Sequence, residues 1–328
     1  MYNDFMKLGK CFFPLLLSGA LLAADSVSLD TGTGVLYGTL ELPAAKAPYP
    51  VALLIAGSGP TDRDGNTSLI TTKNDSLKMI AEALAAHGIA SLRCDKRGIA
   101  QSKAAMIKED DLRFETYVDD TVRWAEYLRK DNRFGALVIA GHSEGSLIGM
   151  LAAQKLSASG YISIAGPGQP GGQIIVRQLK AQSAPPEILK QIEGMVKTLE
   201  DGHKLDSVPA GLEGLFRTSV QPYLISWFKY DPAREIAKLK MPVLILQGST
   251  DIQIAVSDAK LLHDGNPAAK LVIVEGMNHV LKEVSDDPAK QIASYGDPKL
   301  PVAPKLLDEM TDLIRKAAGT TGSPQPAK

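Results

Sequence analysis

The run Ile139-Ala140-Gly141-His142-Ser143-Glu144-Gly145 follows directly on the apolar residues Ala136-Leu137-Val138. It restricts the fold more than any other stretch. A strand must deliver the chain into a tight turn, and a helix must carry it away. Ser143 is the centre of a Gly-x-Ser-x-Gly pentapeptide. On such a turn the residues two before and two after the serine lie close to other backbone, and Gly141 and Gly145 remove the side chains that would collide there. The helix expected over 144–156 starts beside the serine, so its N-terminal dipole faces negative charge developing nearby. A pentapeptide of such common residues also arises by chance, so its context must decide. Three conditions apply: a strand before and a helix after, an acid and then a histidine downstream, and a glycine-rich loop upstream.

The 328 residues suffice for one large α/β domain with an insertion, or for two ordinary domains. With 45% hydrophobic and 22% charged residues, the composition is that of a globular protein. A net charge of −1 gives no reason to expect nucleic acid or an anionic membrane as partner. Lys7 and Lys10 precede the apolar stretch 11–24, which closes on Leu22-Ala23-Ala24 before Asp25. This reads as a secretory signal peptide over 1–24, with Met6 an alternative start. A membrane anchor competes with it, but the run is short and carries Pro14. No stable membrane insertion is expected after cleavage. Cys11 lies before the apolar core, which argues against lipoprotein attachment. The expected destination is the periplasm or the external medium, with Cys94 the one remaining cysteine and no internal disulfide. In the strand-like run 90–94 it reads as a buried, inert thiol.

Strand-like and helix-like segments alternate after residue 25. Residues 34–42 alternate as an antiparallel strand does; 50–56, 89–94, 136–140, 161–165, 242–246 and 270–274 are apolar runs expected as strands of a buried sheet. Helices are expected over 77–87, 115–130, 144–156 and 305–316, the first ending at Gly88. This order implies a mainly parallel sheet with helices on both faces. The alternation breaks between about 166 and 240. Ile188, Ile192, Met195 and Leu199 recur there at helical spacing, and Leu224, Trp227 and Phe228 form a second helical cluster. A helical lid over 167–240 is the functional reading; a structural excursion with its aromatics in a local core is the other. The expected core is thus 25–166 and 241–318, and the Gly-, Pro-, Thr- and Ser-rich tail 319–328 is expected to be disordered.

Catalytic groups in open α/β sheets gather beyond the carboxyl ends of strands. Asp251 lies just past the strand ending at Leu246, and His279 just past the strand ending at Val274. Asp251 follows Ser143 by 108 residues and His279 follows Asp251 by 28. Asp251 could otherwise serve as a helix cap near Val256. The remaining histidines fit less well: His87 ends a helix, His203 falls in the insertion, His263 on a helix, and His142 should point away from its neighbour Ser143. Upstream, Gly57-Ser58-Gly59-Pro60 follows the strand 50–56. The N–H of Ser58 (or Gly59) and that of Glu144 are suited to hold an oxyanion. The charges of Asp62-Arg63-Asp64 could pair with one another or with Arg97, stiffening the loop, or could be solvated.

Together, Gly57-Ser58-Gly59-Pro60-Thr61-Asp62-Arg63-Asp64, Asp95-Lys96-Arg97-Gly98, Gly141 to Gly145, Gln247-Gly248 with Asp251, and Gly276 to His279 resemble the α/β-hydrolase superfamily. They are most similar to bacterial secreted carboxylesterases and related serine hydrolases with a Gly-Ser-Gly-Pro-x-Asp-Arg-Asp oxyanion loop. The run Trp227 to Pro232 adds to the likeness, which spans about residues 34–317. The resemblance implies an eight-stranded, mainly parallel sheet and a Ser143–His279–Asp251 triad, in the order Ser, acid, His. It implies acyl transfer with no metal or organic cofactor. The substrate expected is a small carboxylic ester, and Tyr223, Trp227 and Phe228 suggest an apolar group on it. A serine aminopeptidase or thioesterase would use the same triad, although the insertion carries no unbalanced charge to favour a peptide terminus. A non-catalytic binding module on this fold usually lacks a triad member, whereas all three residue types are present here.

Overall fold

The computed structural model describes residues 23–319. The expected signal peptide, apart from Ala23 and Ala24, and the expected disordered tail, apart from Gly319, lie outside the described residues. Eight strands form one sheet: β1 (Ala23–Asp30), β2 (Val35–Leu42), β3 (Tyr49–Ile55), β4 (Ala90–Cys94), β5 (Phe134–His142), β6 (Gly160–Ile164), β7 (Val243–Gly248) and β8 (Lys270–Val274). Their order is β1-β2-β4-β3-β5-β6-β7-β8. β2 runs antiparallel to both neighbours, and every other pairing is parallel.

The apolar runs become strands for the reason their composition suggests. β4, β6 and β7 are buried along their whole length and β3 along most of it, because helices cover both faces. On one face lie α1 (Ser76–Ala86) and the C-terminal α11 (Pro304–Ala317). Leu306, Met310 and Ile314, four residues apart on α11, are fully buried; each such side chain contributes about 1.5–3 kcal/mol. On the other face lie α2 (Phe114–Arg129), α3 (Glu144–Lys155) and α9 (Val256–Gly265). The short α10 (Pro288–Ser294) follows β8.

Two strands differ from expectation. β1 has only Val27 and Leu29 as large apolar residues, a pattern too sparse to stand out; it forms by pairing its whole length with β2. β8, expected as buried, is an edge strand with a mostly exposed or half-buried pattern. Among the described residues it has a neighbour on one side only, and its Lys270 reaches out to Glu309 of α11.

Between β6 and β7 the chain is helical: α4 (Gly171–Ala181), α5 (Pro186–Glu200), α6 (Glu213–Phe216), α7 (Gln221–Phe228) and α8 (Pro232–Ile236). α5 carries the first apolar cluster, with Ile192, Met195 and Leu199 buried, and α7 the second. The chain direction across the sheet switches between β3 and β5, which are hydrogen-bonded neighbours with Ile55 opposite Gly141. The loop after β3 and the turn after β5 therefore emerge side by side at the sheet's carboxyl edge, the place where open α/β sheets gather ligands.

Candidate active site

Ser143 occupies the turn between β5 and α3 with φ 55° and ψ −124°. A non-glycine residue held there costs about 1–3 kcal/mol. Backbone packing enforces it. A Cβ on Gly141 would sit 2.0 Å from the Gly145 carbonyl oxygen, and one on Gly145 would sit 2.5 and 2.6 Å from the carbonyl oxygens of Ile55 and Ala56. The Ser143 N–H donates to the Ile164 carbonyl at 2.9 Å. Its side chain is half-buried, at the first turn of α3.

Asp251 and His279 come together from the loops after β7 and β8. His279 Nδ1 lies 2.9 Å from Asp251 Oδ2. The carboxylate is fully saturated: Oδ1 accepts from the backbone N–H groups of Gln253 (2.8 Å) and Ile254 (2.9 Å), and Oδ2 also accepts from Gln247 Nε2 at 3.2 Å. Burial by itself would raise the Asp251 pKa, but His279 and the backbone donors outweigh it and hold the carboxyl below its usual value. Asp251 is therefore an anion, and with Nδ1 donating to it, Nε2 is the ring nitrogen left to accept a proton.

His142, the residue before the serine, packs on His279. Its Nε2–H donates to the His279 carbonyl at 2.8 Å, and the two rings are 4.8 Å apart. Burial first, and then the electrostatic influence of the neighbouring His279 ring, lower the His142 pKa to about 3, so this ring stays neutral. The Ser143 hydroxyl itself makes no hydrogen bond among the described residues, to His279 or to any other group. In unliganded sites the nucleophile–base contact is often long and tightens only around substrate.

Gly57 presses on the turn: a Cβ there would lie 3.1 Å from Ser143 Cβ. Ser58 beyond it is exposed, and its N–H donates to no acceptor among the described residues. The Glu144 N–H, at the first position of α3, has no intrahelical acceptor. The two N–H groups belong to segments that meet at Ser143, Ser58 following Gly57 and Glu144 following the serine itself.

The loop that follows is stiffened by charge, with partners other than those expected. Arg63 pairs with Asp95 at 2.6 Å, and Asp64 pairs at 2.7 Å with Arg93, which also holds Glu41 at 3.0 Å. Arg97 is instead committed to Asp120 on α2 at 2.8 Å. Asp62 accepts from the N–H groups of Asp64 and Asn66, both at 2.9 Å, and closes a local turn. Burial pushes the Cys94 thiol up to about 12, so it is inert.

Tyr223, Trp227 and Phe228 sit on α7 in a packed aromatic cluster with Phe114. Trp227 stacks on Phe114 (centroids 6.0 Å apart, planes 5° apart) and lies against Gly171; Phe228 is buried against Gly172. The Tyr223 hydroxyl donates to Glu144 Oε1 at 2.6 Å. This is the local-core reading of these aromatics rather than an open substrate wall. Three polar residues at the site were not singled out as functional from the sequence: Lys96, Gln247 and His142. Their only sequence signal is that each lies within or beside a motif.

A family model described as serine aminopeptidase, S33, matches residues 73–202. The esterase EstD of Thermotoga maritima is 25% identical over 267 residues, covering 77% of this chain and 59% of that protein. The chain therefore spans about three-fifths of this relative's length. Among solved structures, Est1E from Butyrivibrio proteoclasticus with ferulic acid bound superposes with a TM-score of 0.56 at 16% identity, over 88% of this chain and 96% of that one. The α/β hydrolase GrgF from Penicillium sp. sh18 gives 0.59 at 18%, over 91% and 100%. The chain has the α/β-hydrolase fold.

Proposed function

We propose that this chain is a serine hydrolase that cleaves carboxylic esters through an acyl-enzyme. The observation that carries the reading is the 2.9 Å contact between His279 and a saturated Asp251, at the same sheet edge as a strained Ser143. His279 Nε2 takes the Ser143 proton as Oγ bonds to the carbonyl carbon. The oxyanion is held by the Ser58 and Glu144 N–H groups; a donor of this kind is worth about 100- to 1000-fold in rate. The intermediate collapses, and the departing alkoxide takes the proton from His279. Water then repeats the sequence and frees the acid and Ser143. Asp251 holds the imidazole tautomer and stabilises its charged form.

An ester rather than an amide is supported by the relative named an esterase. The family model named for serine aminopeptidases is the ground for a second reading with the same triad. We further propose that the protein is exported, on the pattern of residues 7–24. Among the described residues no helix is long and apolar enough to cross a membrane.

The test is hydrolysis of short p-nitrophenyl esters together with fluorophosphonate labelling. Both should vanish in Ser143→Ala with the fold intact. Aminoacyl amides turned over faster than esters would overturn the ester assignment, and an unlabelled, folded wild type would overturn the hydrolase reading.

A further inference from the structure

Lys96, in the loop after β4, is 8% exposed and has its ammonium inside the protein. The ammonium donates to the carbonyl oxygen of Gly57, lies 3.2 Å from Glu144 Oε2, and stands 5.4 Å over the ring of Tyr117. Glu144 is equally enclosed, and its other oxygen accepts from Tyr223. Burial, and then the negative charge of Glu144, raise the Tyr223 pKa well above its usual value, so the phenol remains a donor. Burying an ion pair is costly unless each charge is hydrogen-bonded, and here each has a second partner.

The acceptor that Lys96 chooses gives this network a consequence. The Gly57 carbonyl and the Ser58 N–H are the two ends of one planar, trans peptide unit and point in opposite directions. Fixing the oxygen on Lys96 therefore fixes the direction of the Ser58 N–H, and this peptide lies beside the nucleophile: a Cβ on Gly57 would be 3.1 Å from Ser143 Cβ. A hydrogen bond to the carbonyl of an amide also polarises its N–H and makes it a stronger donor.

We propose that Lys96 is a positioning residue for the oxyanion hole, acting through the Gly57–Ser58 peptide, with Glu144 as its anchor. Glu144 then serves the hole twice. Its backbone supplies one donor, and its side chain holds the lysine that aims the other. Through Tyr223 the same anchor reaches α7, so the helices between β6 and β7 brace the hole from behind. This inference rests on the serine-hydrolase reading above.

The experiment compares an ester with its thiono analogue, in which C=S replaces C=O. Sulfur is a weak hydrogen-bond acceptor, so the thiono rate depends little on the hole. In Lys96→Met, kcat/KM for the oxygen ester should fall by about 10- to 100-fold, part of what one donor supplies. The thiono ester should change little, so the preference for oxygen collapses. Glu144→Gln keeps the backbone donor and should move the ratio in the same direction, by less. It carries the test if Lys96→Met does not fold by circular dichroism. Lys96→Arg retains a donor toward Gly57 and should restore part of the ratio. Equal losses on both esters would mean a merely structural role and would overturn the proposal, as would an unchanged ratio. A wild type that takes no fluorophosphonate label refutes the hydrolase reading itself, a separate outcome visible before any variant is made.

Discussion

Replacing Asp251 by asparagine keeps the shape of the side chain and changes one atom from acceptor to donor. The surroundings dictate which. Oδ1 accepts from two backbone N–H groups at 2.8 and 2.9 Å, and these cannot turn away. The asparagine oxygen must stay there, so its NH2 replaces Oδ2 and faces His279 Nδ1, 2.9 Å away, and Gln247 Nε2. Two donors cannot face each other. His279 must surrender the Nδ1 proton and carry it on Nε2, where it can no longer accept one from Ser143. The loss expected for a triad imidazole in the wrong tautomer is about 10⁴-fold in kcat, which is about 5.4 kcal/mol at about 1.36 kcal/mol per decade. Gln247 loses one contact and keeps its 2.9 Å bond to the Ile254 carbonyl. The stability cost should therefore stay near 1–3 kcal/mol, the penalty for a buried group left unsatisfied. The assay is p-nitrophenyl ester hydrolysis from pH 6 to 9, alongside urea unfolding. A folded Asp251→Asn enzyme retaining more than a tenth of wild-type kcat would show that the tautomer argument is wrong.

Other outcomes follow from the same geometry. Ser143→Gly should abolish activity yet raise stability by about 1 kcal/mol in thermal melts, because glycine removes the strain of φ 55°, whereas Ser143→Ala keeps it. Arg93→Met should cost about 3–5 kcal/mol in urea titrations, since it leaves the Glu41 carboxylate buried without its partner. His142 has a folded pKa near 3. The unfolded chain binds that proton first, near pH 6.5, so the ring's contribution is complete above about pH 6.5 and fades as pH falls toward 3. His142→Gln should abolish about 2 kcal/mol of the stability lost between pH 7 and 4.5; an unchanged acid limb would refute this.

The sheet was legible in the sequence where strands are buried on both faces, because a continuous apolar run bounded by Gly or Pro has few other uses. It was not legible at the edges. β1 depends on pairing with β2 more than on apolar content, and β8 looks like an interior strand until the strand order places it last among the described strands. In the site, Ser143, Asp251 and His279 could each be placed from the strand end before them, because topology collects those ends on one rim. The partners of the loop charges could not. Arg93 finds Asp64 across 29 residues and Lys96 finds Glu144 across 48, matches that only the folded chain creates. The aromatics of α7 declared their apolar periodicity but not what they face, since core and substrate wall look alike in one dimension.

The buried Lys96–Glu144 pair bears on any transplant of the nucleophile turn between relatives. A pentapeptide bearing glutamine or methionine in its fourth place would fit the same bend and deliver the same hydroxyl. It would also strand an ammonium ion 3.2 Å from where its counter-charge used to be. Donor and recipient would have to exchange three separated positions, 96, 144 and 223, for the graft to arrive electrically whole.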